Sequence, residues 1–353
     1  METNNKQYDE VINYFEGKLK FADSSMKDIS YEHWVNNDEN FKLLCKAFEV
    51  SFKDGEDKKS IVDLIMKKHD FECEFKLIGW ITEDEAHTNK FIDLKGITAL
   101  NRYPDILPYK YNTVFISQEE KNIENFITGS YINGPFTEDN NMFIATQGPL
   151  ESTTFSFWKL ILTQQIKVIF MLANCSETGQ QKSVQYWPSD VNDNKVVKDQ
   201  KGNNELTISL ISEESIYDNS ITIRKIKINN EFEVEQVHIT AWPDHSVPEP
   251  SHSNDIINFS LSKIDHYHSL NSSVIVHCSA GVGRTGTLIA IYNIIRCLNR
   301  IKLLKETNSA ITQKLNVFNV VRKLREERFK MVIDKRQYQF IYEYCLDWIA
   351  NNF

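Results

Sequence analysis

Residues 274–286 read Val274-Ile275-Val276-His277-Cys278-Ser279-Ala280-Gly281-Val282-Gly283-Arg284-Thr285-Gly286. The run opens apolar and β-branched, which predicts a buried strand. Beyond Gly286, residues Leu288, Ile289, Ile291, Tyr292, Ile295 and Leu298 fall at helical spacing. A strand therefore runs into a tight loop, and the loop opens a helix. Glycines let such a loop curl with its backbone N–H groups pointing inward. The helix N-terminus adds partial positive charge at the same point. Arg284 brings a planar fork that matches two oxygens of a phosphate. Cys278 sits at the base, where this charge favours thiolate over thiol. A thiolate in a phosphate cradle is a nucleophile aimed at phosphorus. Taken alone, a cysteine at a strand end also reads as a small buried hydrophobe, and a Gly-rich turn as only a turn.

Other segments decide between these readings. Upstream lies Trp242-Pro243-Asp244-His245, and further back Asn101-Arg102-Tyr103-Pro104-Asp105-Ile106-Leu107-Pro108-Tyr109. Between them come Phe143-Ile144-Ala145-Thr146-Gln147-Gly148-Pro149-Leu150, Phe157-Trp158 and Gln185-Tyr186-Trp187-Pro188. After the loop follow Leu324-Arg325, Arg328 and Gln337-Tyr338-Gln339-Phe340. In order and rough spacing these resemble the cysteine-dependent protein tyrosine phosphatases, of the non-receptor kind. The resemblance covers about residues 70–350. It implies an α/β fold: a central twisted mixed sheet flanked by helices, with a phosphate-binding loop between a central strand and a helix N-terminus. It also implies one catalytic domain over residues 61–353, after an N-terminal extension over 1–60 that reads as partly helical and has no assigned role.

The resemblance carries roles onto matching positions. Cys278 would attack phosphorus and form a phosphocysteine. The amides of Ser279, Ala280, Gly281, Val282, Gly283 and Arg284 would hold the equatorial oxygens, and Arg284 would bind two of them. Thr285 could donate its hydroxyl to the sulfur or cap the local backbone. Asp244, 34 residues before Cys278, is the candidate general acid. Tyr103 would line a slot deep enough that phosphoserine falls short of the thiolate. Asp105 would accept hydrogen bonds from the substrate backbone. Lys182, Glu177 and Arg328 match residues near the acid loop, beside the arginine and beneath the phosphate loop. Gln337 matches the second glutamine of the pattern Met-Val-Gln-Thr-x-x-Gln-Tyr. The first glutamine, which positions the hydrolytic water, falls on Ile333, which can neither donate nor accept. Ser246 replaces a common glycine. No metal and no cofactor is expected.

Composition bounds the rest. Residues 1–95 hold 14 Lys/Arg against 21 Asp/Glu, so most of the net charge of −9 lies in the first 95 residues. An acidic chain is a poor nucleic-acid binder. The six cysteines form no Cys-x-x-Cys pair. No 18-residue apolar run and no signal-peptide core are present, so no membrane span is expected. The expectation is a cytoplasmic monomer acting on phosphotyrosine-containing proteins. A catalytically weak module that captures phosphotyrosine stands as the alternative, kept open by Ile333. A phosphatase acting on phosphoserine or lipids is a further one.

Strands are expected at 143–146, 167–172, 206–210, 221–226, 234–240 and 274–277. Helices are expected at 8–20, 38–50, from Ser60, and at 152–165, 253–267, 285–299, 312–328 and 336–350. The polar stretch 189–205 reads as a surface hairpin or loop.

Overall fold

The computed structural model describes residues 74–79, 82, 91–117, 119–134, 143–304 and 317–352. The helices expected at 8–20, at 38–50 and from Ser60 lie outside the described residues, as does the start of the one expected at 312–328.

Nine strands form one mixed sheet. They are β1 (Thr113–Phe115), β2 (Phe126–Ile132), β3 (Phe143–Thr146), β4 (Val168–Met171), β7 (Asn194–Lys198), β8 (Glu205–Ile216), β9 (Ile221–Ile228), β10 (Phe232–Ile239) and β11 (Val274–His277). The spatial order is β1-β2-β3-β11-β4-β10-β9-β8-β7. A separate ribbon pairs β5 (Ser176–Glu177) with β6 (Gln180–Gln181). Among the described residues, the helices that flank the sheet include α1 (Thr154–Thr163), α2 (Ser253–Ser269), α3 (Gly283–Leu304), α4 (Val317–Glu327) and α5 (Lys335–Asn352). None among the described residues is long and apolar enough to cross a membrane.

Strand β11 is parallel to both neighbours, with Val274 opposite Phe143 and Val168. Successive side chains of a strand point to opposite faces. Val274 and Val276 accordingly join the core under α2–α5, with Phe143, Ala145, Val168 and Phe170. Ile275 joins the core under α1, with Ile144, Ile169 and Met171. Both faces are dry, so these strands read as unbroken apolar runs rather than alternating ones. Each such side chain contributes about 1.5–3 kcal/mol on burial.

The sequence under-reads two regions. β8, β9 and β10 run longer than expected, because most of the added residues are polar or exposed and carry no apolar period. Within 189–205, Asn194–Lys198 pairs with β8 as an edge strand before a polar turn. β1 and β2 were not expected: every residue of β2 but Tyr131 is buried, so no alternation marks it. Gly129 in β2 lies against β3, where a Cβ would stand 2.8 Å from Thr146 Cγ2.

The ends of β3, β4 and β11 point the same way. The crevice beyond the carboxyl ends of parallel strands is where an α/β sheet holds ligands. The loop 278–282 leaves β11 at that edge and enters α3.

Candidate active site

The phosphate loop is held open from outside. The Cys278 carbonyl accepts from His277 Nδ1 at 3.1 Å. The Ser279 carbonyl accepts from the Gly148 amide at 2.8 Å. Arg328 donates Nη2 to Ala280 O at 3.0 Å and Nε to Gly281 O at 2.8 Å. Val282 O accepts from the Val332 amide at 2.9 Å. Five consecutive carbonyls are thus turned outward. In a planar trans peptide the C=O and N–H point in opposite directions, so the following amides face the centre of the loop. Gly281 makes the tightest corner, at φ 69, where a Cβ would collide with Thr146 O. Arg328 is fully buried, and burial brings its pKa down to about 10 while the Cys278 sulfur opposes the loss of charge.

Cys278 is buried at the base of this loop. Burial by itself would raise its pKa. The Arg284 charge, the Thr285 hydroxyl and the amides of Thr285 and Val282 outweigh it, and the thiol is held below its ordinary value. Thr285 Oγ1 is buried, and among the described residues it has no hydrogen-bond partner of ordinary geometry. The sulfur is the group it faces.

Arg284 is 1% exposed and is gripped from several sides. Its Nη1 and Nη2 donate to the two Glu177 oxygens at 2.7 and 3.0 Å. Nη1 also donates to Trp242 O at 2.7 Å, and Nη2 to Asp244 Oδ1 at 3.1 Å. Asp244 Oδ2 accepts from Lys182 Nζ at 2.7 Å. Burial pushes the Asp244 carboxyl up, but Lys182, Arg284 and His245 hold it below the usual carboxylate range. The acid loop therefore sits closed on the phosphate loop. Trp242 Nε1 donates to Ser246 O at 2.9 Å across the loop's turn, and His245 sits at φ 50.

Tyr103 and Ser279 share a hydrogen bond of 2.8 Å between hydroxyls. Ser279 Oγ donates to Lys182 O at 3.0 Å, so its one proton is used and Tyr103 is the donor. This fixes the Tyr103 ring beside the mouth of the loop. Asp105 is exposed, and Lys330 Nζ reaches its Oδ2 at 2.9 Å. That hydrogen bond leads the causes that lower its pKa. Gln337 Nε2 donates to Ser246 O at 3.3 Å, while its Oε1 is buried with no partner among the described residues. Ile333 and Gln337 both press on Gly283: a Cβ there would stand 3.0 Å from Ile333 Cγ2 and 3.2 Å from both amide atoms of Gln337.

Sequence reasoning gave no part to Arg102, although its segment was singled out. Its amide donates to Gln147 Oε1 at 2.8 Å and its Nη2 to Pro149 O at 2.8 Å, tying the Tyr103 loop to the strand edge. Arg325 was likewise given no role, yet it holds the carbonyls of Met331 and Val332 at 2.8 and 2.7 Å.

Residues 98–347 match the family model described as protein-tyrosine phosphatase. The chain is 31% identical to human receptor-type tyrosine-protein phosphatase eta over 87% of its own length, and 34% identical to human phosphatidylinositol phosphatase PTPRQ over 80%. It spans 22% and 11% of the lengths of those two relatives. Among solved structures, it resembles the catalytic domain of human protein tyrosine phosphatase non-receptor type 18, with TM-score 0.66 and 28% identity over 79% of this chain and 96% of that one. A second is TcPTP1 of Trypanosoma cruzi, with TM-score 0.68 and 27% identity over 80% of this chain and 92% of that one. The type 18 enzyme is also solved in complex with HER2 phosphopeptides.

Proposed function

The chain belongs to the protein-tyrosine phosphatase family, and on that premise we propose that it hydrolyses phosphotyrosine in proteins through a phosphocysteine intermediate. One observation carries the reading: the Cys278 thiol, kept low by Arg284, lies in a ring of inward amides while the Asp244 carboxylate is held 3.1 Å from the same guanidinium. The sulfur attacks phosphorus in line, an S–P bond forms and the bond to the tyrosine oxygen breaks. Asp244 gives that oxygen its proton. Water then attacks phosphorus, Asp244 takes its proton, and Cys278 leaves as thiolate. The substrate prepares the acid: a phosphate dianion competes with Asp244 for Arg284, and a dianion nearby favours the protonated carboxyl. Lys182 keeps the carboxyl in reach throughout.

The phosphopeptide complex of the type 18 enzyme and the Tyr103 slot support phosphotyrosine proteins as substrates. Thiolate chemistry supports a reducing, cytoplasmic setting. Ile333 favours a second reading, a weak phosphatase that captures phosphotyrosine. Rates on a phosphotyrosine peptide, a phosphoserine peptide and a phosphoinositide, at one enzyme concentration, separate these. Cys278→Ser should keep phosphotyrosine binding and lose turnover. Residual turnover above about 1% of wild type contradicts the phosphocysteine route, since loss of a nucleophile costs several kcal/mol of barrier.

A further inference from the structure

A buried chain of hydrogen bonds runs through the sheet to the nucleophile from its far side. Arg224 on β9 donates Nη1 to Gln236 Oε1 on β10 at 2.9 Å. Gln236 Nε2 donates to Tyr186 Oη at 2.8 Å. Tyr186 Oη lies 2.8 Å from His277 Nε2, and His277 Nδ1 lies 3.1 Å from the Cys278 carbonyl. Gln236 and His277 are fully buried and Tyr186 is too, so none exchanges these partners for water.

The direction of every bond is forced. A guanidinium only donates, so Gln236 must turn its oxygen to Arg224 and its NH₂ to Tyr186. Tyr186 then accepts from Gln236 and spends its one proton on His277 Nε2, since Met171 Sδ is a weak acceptor at 3.7 Å. His277 is left with its proton on Nδ1. Working back from the other end gives the same answer: a carbonyl only accepts, so Nδ1 must donate to Cys278 O. The ring is neutral, because burial, Arg102 and Arg284 bring its pKa down to about 4 despite that bond. A side branch agrees: Arg224 Nη1 lies 3.2 Å from His238 Nδ1, so His238 Nε2 donates to Ala173 O at 3.1 Å.

We propose that Arg224 and Gln236 are positioning residues for Cys278: they impose a one-way hydrogen-bond order that pins the Cys278 carbonyl outward. The peptide plane after Cys278 then aims the Ser279 amide inward, the first donor of the phosphate cradle. Arg224 is itself held by Glu213 Oε2 at 2.6 Å and lies over the Trp187 ring, so the order starts at a carboxylate that is 39% exposed. Reverse the Gln236 amide and Tyr186 gives its proton away from His277. His277 then moves its own proton to Nε2, and a bare Nδ1 faces a carbonyl.

This rests on the reading of Cys278 as nucleophile, but both readouts are independent of turnover. The first is the ¹⁵N spectrum of the histidine rings, with His277 assigned by the signal lost in His277→Asn. Wild type should carry the proton on Nδ1. Gln236→Glu keeps size and the Arg224 contact but cannot donate to Tyr186, so the proton should move to Nε2. The second is the pH profile of Cys278 alkylation by iodoacetate. Gln236→Glu and Arg224→Met should each slow it about tenfold at pH values well below the wild-type midpoint, the effect of a thiol pKa raised by roughly one unit. Arg224→Lys keeps a donor and should fall between. The double variant Arg224→Met with Tyr186→Phe should be no slower than the worse single variant, because one chain is being cut. A wild-type proton on Nε2 overturns the proposal, and that needs no variant to fold. So does an alkylation profile unmoved in both Gln236→Glu and Arg224→Met. Turnover retained in Cys278→Ser would instead count against the catalytic reading and leave both readouts standing.

Discussion

Ile333→Gln restores the amide that the family pattern places over the phosphate loop. Ile333 Cγ2 packs on Gly283, and Gln337 presents an unpartnered, buried Oε1 at the same spot. On the proposed mechanism, a water attacking the phosphocysteine then has the Gln337 amide oxygen to orient it and no amide at position 333. An oriented hydrogen bond is worth about 0.5–1.5 kcal/mol net. Its absence slows the second step by about two- to twelvefold. The first step does not use that water, so phosphoenzyme should accumulate. Rapid-quench measurement with an aryl phosphate should show a burst of phenol close to the enzyme concentration, then a slower steady state. Added alcohols should capture part of the phosphoryl group. In Ile333→Gln the steady state should rise by about the same two- to twelvefold factor and the burst should shrink. The side chains are similar in size, so no cavity confuses the comparison. No burst in wild type, together with an unchanged rate in Ile333→Gln, would show that Gln337 alone suffices and refute the reasoning.

Asp244→Ala should slow hydrolysis of a tyrosyl phosphate by roughly 10²–10⁴, and much less for a substrate whose leaving group needs no proton; equal losses on both would make Asp244 structural. The Cys278 thiol is depressed chiefly by Arg284, so alkylation should stay fast below the ordinary cysteine range of about 8.5 and fade only as pH falls through the depressed value. In Arg284→Ala the midpoint should move upward toward that range; an unmoved midpoint sinks the assigned cause. Arg328→Ala strips donors from the Ala280 and Gly281 carbonyls, and each buried acceptor left unpaired costs about 1–3 kcal/mol. The variant should show a clear fall in urea midpoint, and a midpoint within error of wild type speaks against the brace.

What the sequence yields is the chemistry of contiguous segments. The strand, loop and helix around Cys278 are legible because β-branched, glycine and helix-period signals follow one another without a gap. β2 is not legible, since burial on both faces removes the alternation that marks a strand. The partners of Arg328 lie 47 and 48 residues upstream, and Arg224 reaches His277 through Gln236 and Tyr186 on separate segments. Nothing local announces such pairings. The Asp105–Lys330 pair joins residues 225 apart, and each alone reads as an ordinary surface charge. The motifs single out candidate side chains, whereas the carbonyls that shape the loop carry no side-chain signature at all.

Strand β11 lies in the middle of the sheet, hydrogen-bonded on both sides and dry on both faces. Elements of that kind open only when the whole molecule opens. The acid loop is different: across its turn it is held by side chains such as Arg284, Lys182 and Gln337. Cys278 and Asp244, the proposed nucleophile and acid, thus sit at opposite ends of the range of local stability. Warming or mild denaturant should strip away the lid long before it disturbs the sulfur. Between those two thresholds lies a protein that still reacts with alkylating agents and still attracts phosphate, yet has stopped turning over.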